Sequence, residues 1–317
     1  MPPPAPLVPT VVTAGESEPP EPQAVPFSVV RQHDYRIDFG DYGLEVNPAD
    51  GARIIEFSLG GHNALVTQAQ SPDAFGSSFW TSPQSDWSWP PLPELNALPW
   101  KVEVDQASLV LESQVNQALG YSSRQRIVAL PKAGAVSIEY TLTNHGPEPR
   151  KVAPWQNTRV APAGLTFYPS PGQSYPESSL KLEPKDGITW FLHQPERYRS
   201  GSVKSYADGS EGWLAQAEPA GRLLFVKVFA DVPRDAQAPK EGEIVIYVPQ
   251  GGRFVEVEQQ GPYVELGSGQ STRWPVTWVL ERLDASVAIE PGNARLVELA
   301  REMAARVRPD VSDQQRH

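Results

Sequence analysis

The chain has 317 residues, with 38 acidic against 27 basic side chains and a formal charge of −11. That balance, with no Lys/Arg cluster, argues against a nucleic-acid partner, and the absence of cysteine excludes disulfides, Cys-based zinc sites and a Cys nucleophile. Apolar residues make up 39%, enough for a real core, and 34 prolines with 24 glycines imply many turns.

Residues 1–26, MPPPAPLVPTVVTAGESEPPEPQAVP, are Pro-rich and lack the basic segment and apolar run of a signal peptide. They are expected to be disordered with a polyproline bias. Leaders of this composition often tether exported domains once a signal has been removed, so a periplasmic or exported location is favoured over a cytoplasmic one. No apolar run approaches the ~20 residues needed to span a bilayer.

From Val29 the pattern becomes short alternating strands. DYRIDF (34–39) and YGLEVN (42–47) read as a pair joined by a tight Gly40-Asp41 turn. Asp50-Gly51 and Gly60-Gly61 then bracket a further strand, and His62 just past that turn reads as a surface or capping residue rather than a ligand.

Residues 75–91, FGSSFWTSPQSDWSWPP, have neither helical nor strand periodicity, yet hold three of the nine tryptophans, Trp80, Trp87 and Trp89. Prolines 83, 90 and 91 forbid regular ladders, so the stretch is expected to be a loop with rigidly placed rings. Flat aromatic faces beside short polar groups such as Gln84 suit a sugar, with its apolar C–H patches and hydroxyls. A plug at one end of a β-sandwich would use the same residues.

Residues 101–115 and 122–130 alternate like paired strands, and AVSIEYTLTN (135–144) is the clearest strand of all. Residues 153–164 add another, whereas 165–187 read as a long excursion rich in Pro, Ser and Gly. Strands then continue through 188–194, 213–218, 222–230, 243–249, 253–260 and 272–283. Only the end is helical: Asn293 is a plausible N-cap, and Leu296, Leu299, Ala300, Met303 and Val307 recur at helical spacing, which suggests a cap over one sheet edge. No fixed-period repeat is visible. The predicted architecture is all-β, a large antiparallel β-sandwich over 27–285, followed by one short C-terminal helix and tail over 286–317.

In RFVEVEQQ, Phe254, Glu256, Glu258 and Gln260 share one face while Val255 and Val257 share the other. Two neighbouring carboxylates would raise one pKa, as proton transfer requires, although alternating Glu is also common on solvated sheet faces. Arg159 and Arg53 could hold a carboxylate or phosphate bidentately or pair with a structural Glu, and the net charge argues mildly against a polyanionic substrate. Asp86 could accept a hydroxyl or cap a turn. No dinucleotide fingerprint, Walker loop, nucleophile elbow or His-based metal motif is present, so no cofactor or transition metal is expected; a hard cation would leave no readable signature.

Three stretches resemble the galactose mutarotase-like superfamily. They are residues 123–155, with Thr143-Asn144-His145-Gly146 matching a "T-N-x-G" strand end, residues 254–280, with a late glutamate followed by a Gly-Ser-Gly-Gln-Ser turn, and residues 51–65. The tryptophan-rich stretch is similar to a branch of that superfamily grouped as a domain of unknown function. The resemblance implies a supersandwich fold and a sugar or glycan ligand. In mutarotases a late-strand glutamate takes the anomeric proton and a histidine protonates the ring oxygen. Glu258 matches that glutamate. Where the histidine should stand the chain reads Trp155-Gln156-Asn157-Thr158-Arg159. The resemblance therefore points to Glu258 as the catalytic candidate, with Trp80, Gln84, Trp87, Trp89, Trp155, Asn157, Arg159 and Glu256 as sugar contacts. A non-catalytic sugar-binding module and a docking protein of the cell envelope are the alternatives.

Overall fold

The computed structural model describes residues 28–29, 34–105, 108–171 and 180–308. The Pro-rich leader expected over 1–26, and the last part of the C-terminal tail, lie outside these residues. Two antiparallel sheets dominate. From edge to edge the first runs Ser28–Val29, Tyr35–Phe39, Tyr42–Asn47, Arg53–Leu59, Ser77–Ser82, Arg150–Val160, Val255–Gln260, Ile244–Val248 and Val203–Ala207, with two short side strands. The second is ten-stranded, with Leu223–Phe229, Ser271–Arg282 and Ala135–Asn144 near its middle.

The sheets stack through aromatic side chains. Phe57 of the first lies 5.9 Å from Phe225 and 5.8 Å from Trp278 of the second, and Phe79 stacks on Tyr140 at 4.6 Å. A polar seam crosses the same layer. Gln156 donates to the Tyr140 hydroxyl at 2.7 Å and accepts from Trp278 Nε1 at 2.9 Å, so its buried amide is paired on both ends. Lys227 also enters this layer, donating to Thr158 Oγ1 and the Val257 carbonyl at 2.7 and 2.9 Å. Burial there pushes its pKa well below the ordinary lysine value.

Several expectations change. Residues 77–82 form a strand of the first sheet rather than part of a loop; all six are buried, so both faces carry packing side chains and no alternation appears. The loop begins only at Pro83. Residues 101–115 contain a hairpin of two strands, Lys101–Val104 and Leu109–Glu112, and the second pairs with Tyr121–Leu130. The excursion expected from 165 is, over Gly164–Pro169, a fully buried strand of the second sheet.

The helix Ala294–Val307 forms where expected, and Asn293 accepts the Arg295 amide at 3.0 Å. It covers the outer face of the second sheet, not an edge. Leu296, Val297, Ala300, Met303 and Ala304 bury against Phe167, Trp190, Leu224 and Val226. Among the described residues the first sheet carries no such helix.

Candidate functional site

Alternation along Val255–Gln260 sends Val255 and Val257 into the inter-sheet core and Glu256, Glu258 and Gln260 to the outer face of the first sheet. A cleft of about 530 Å³ opens on that face. Glu256 and Glu258 line it together with Arg159, Trp80, Gln84 and Trp89. Register explains the convergence. Ser77–Ser82 pairs with Arg150–Val160, putting Trp80 opposite Trp155, and Arg150–Val160 pairs with Val255–Gln260, putting Arg159 opposite Glu256.

Glu258 is 1% exposed. Trp155 Nε1 donates to its Oε2 at 2.5 Å, while Oε1 has no hydrogen-bond partner among the described residues. Burial pushes the carboxyl up to about 8, Lys204 pulls the other way, and the Glu256 charge adds to the rise. The carboxylate neighbour expected from sequence thus contributes, but burial is the larger cause. Glu256 instead accepts Arg159 Nε at 2.9 Å in a buried ion pair. The arginine also donates Nη1 to Ser78 Oγ at 3.0 Å.

Trp155 and Trp87 stand behind the lining. Trp155 is fully buried and meets Trp80 edge-on at 5.1 Å; Trp87 packs 6.2 Å from Trp155 and donates Nε1 to the Thr81 carbonyl at 2.9 Å. These rings fix the wall rather than form its surface. Trp89 differs: it is 70% exposed and lies edge-on to Trp80 at the rim. Asn157 is also buried below the lining, and neither polar atom of its amide has a partner among the described residues. The register that pairs Gln156 with Gln259 and Arg159 with Glu256 sets Asn157 directly across from Glu258.

Lys204 was not singled out by sequence. It belongs to the short strand Val203–Ala207, whose five residues give too little pattern to read. Its Nζ sits 4.7 Å from the centroid of the Trp155 rings and 3.3 Å from Gln84 Oε1. Burial works against the ammonium, but Glu258, Tyr206 and Glu241 together hold its pKa above the ordinary value. Arg53 also lines the cleft, yet Asp50 at 2.8 Å and the carbonyls of Phe75 and Asn96 occupy its donors. Asp86 lies in a short 3₁₀ turn away from the lining.

Among the described histidines, none lines the cleft. His62 is exposed, His145 is held by Ser122 Oγ at 2.8 Å in a turn, and His193 stacks on Tyr198 and bonds the Gly252 carbonyl.

No protein-family model matches this sequence, and no curated protein matches it. Solved structures do share its fold. The Slr1438 protein from Synechocystis sp. PCC 6803 is 14% identical, with 86% of this chain and 100% of that one covered at a TM-score of 0.56. A galactose mutarotase-like protein from Lactobacillus casei ATCC 334 is 12% identical, with 78% and 100% covered and a TM-score of 0.56. A galactose mutarotase related enzyme from Lactobacillus acidophilus is 8% identical, with 80% and 98% covered and a TM-score of 0.56. The chain shares the two-sheet antiparallel fold of these solved structures.

Proposed function

We propose that the outer cleft of the first sheet binds a sugar and that Glu258 acts as an acid–base group on its anomeric hydroxyl. The observation that carries this reading is the Glu258 carboxyl itself. It is buried at the floor of an aromatic-walled cleft, tied through one oxygen to Trp155, with the other unpaired. A ring stacked on Trp80 or Trp89 would bring a hydroxyl to that free oxygen. Deprotonated Glu258 then takes the anomeric proton as the ring C–O bond opens and the ring oxygen takes a proton from water in the cleft; both transfers reverse when the ring recloses from either face. A docking protein would have no need of such a cleft.

A second reading has an observation in its favour. Opening the ring also needs a proton for the ring oxygen, and no described histidine lines the cleft to supply it. The cleft would then hold a sugar without converting it. Polarimetry on a panel of aldoses separates the two. The catalytic reading predicts accelerated anomer exchange, rising as pH passes about 8 because that is where Glu258 ionises, and lost in Glu258→Gln with sugar binding retained. Binding without acceleration of any aldose favours the second reading.

A further inference from the structure

The cleft's charge runs opposite to that of the whole protein. Four cationic side chains, Arg53, Arg159, Lys204 and Arg253, line it, against the three carboxylates Asp73, Glu256 and Glu258. The net −11 of the chain therefore says little about what enters here. The carboxylates also differ in weight, since burial keeps Glu258 largely protonated near neutral pH. The cations differ in what already holds them. Arg53 is paired with Asp50 and Arg159 with Glu256, so both are part of the wall. Among the described residues Lys204 and Arg253 make no direct ion pair. Lys204 offers its ammonium to the Gln84 amide oxygen and the Trp155 face, and Arg253 lies over the Phe254 ring at 5.5 Å. Lys204 stands on Val203–Ala207 opposite Tyr247, which in turn stands opposite Glu256, so it joins one continuous row with the buried ion pair. Arg253, and Lys204, whose ammonium feels the Glu258 and Glu241 charges without direct contact, stand on the wall of a cleft also lined by Trp80 and Trp89, and together fit a ligand that is part ring and part anion.

We infer that the ligand of this cleft is a sugar bearing an anionic group, a carboxylate or a phosphate, held by Lys204 and Arg253 while its ring packs on Trp80 and Trp89. The inference rests on the sugar-binding reading above and adds the charge of the ligand to it. Calorimetric titration of the full chain with glucose, glucuronate, glucose 6-phosphate and inorganic phosphate tests it. At least one of the two anionic sugars should bind about tenfold or more tightly than glucose, and comparing them tells carboxylate from phosphate. Arg253→Gln, at an exposed position, should erase most of that preference and leave glucose affinity unchanged; Lys204→Met should also erase it. Glucose binding as tightly as either anionic sugar overturns the inference and leaves the sugar reading in place. Binding of inorganic phosphate with no sugar bound overturns both, as does no binding at all. A preference that survives both substitutions also overturns the assignment.

Discussion

Burial is the largest influence on the Glu258 carboxyl, and it gives the protein a measurable dependence on pH. A folded-state pKa of about 8, above the ordinary 4.5, means that the native chain holds a proton the unfolded chain releases. The associated stability is complete below about pH 4.5 and is lost as pH rises towards 8. Glu243, buried and bonded to the amides of Gly209 and Val232, acts in the same direction over the same window. Glu258→Gln should therefore gain stability relative to the parent as pH rises from 4.5 to 8, by at most about 1.4 kcal/mol per pH unit, read from denaturation midpoints. Arg159→Met should destabilise the fold at neutral pH, where stranding the buried Glu256 charge costs about 3–5 kcal/mol. The tryptophans divide as sharply. Trp80→Ala should cost about 3–5 kcal/mol of stability, whereas Trp89→Ala, at an exposed ring, should stay within about 0.5 kcal/mol yet weaken sugar binding. At this scale the sequence made Glu256, Glu258, Arg159 and the tryptophans visible because residue type and period 2 suffice to nominate them. It did not tell lining from backing. Trp87 and Trp89 are two residues apart, and only the turn after Pro83 decides which is buried.

Elements were legible where one face differs from the other. Ala135–Asn144 and Tyr121–Leu130 alternate buried and half-buried positions, and both were readable. Ser77–Ser82 and Gly164–Pro169 are buried throughout, so their composition carries no period, and from sequence each reads as loop. The helix was readable from its cap and its spacing, but not its seat. That seat can be tested. Asn293→Ala should cost about 1 kcal/mol by leaving the first turn uncapped. Met303→Ala, within the apolar layer against the second sheet, should cost about 2–5 kcal/mol. Thermal unfolding of the two variants checks both values, and an exposed helix would show a negligible loss for Met303→Ala.

On the scale of the molecule, the two sheets receive different treatment. The helix closes the outer face of the second, while the outer face of the first bears the cleft. Pairings between strands distant in sequence build that cleft: Ser82 donates to Gln260 across 178 positions, and Arg159 reaches Glu256 across 97. No local pattern encodes such partners, so the sandwich class could be read from the chain but the neighbours of each strand could not. The central claim is that this cleft takes a sugar ring against its tryptophans. Its most direct test is tryptophan fluorescence of the full chain during titration with aldoses and their anionic derivatives, repeated with Trp89→Ala. The account predicts a saturable change in emission for at least one sugar, with affinity reduced about tenfold or more in the variant while its circular dichroism stays that of the parent. Emission that responds to no sugar, or a titration identical in the two proteins, would contradict it.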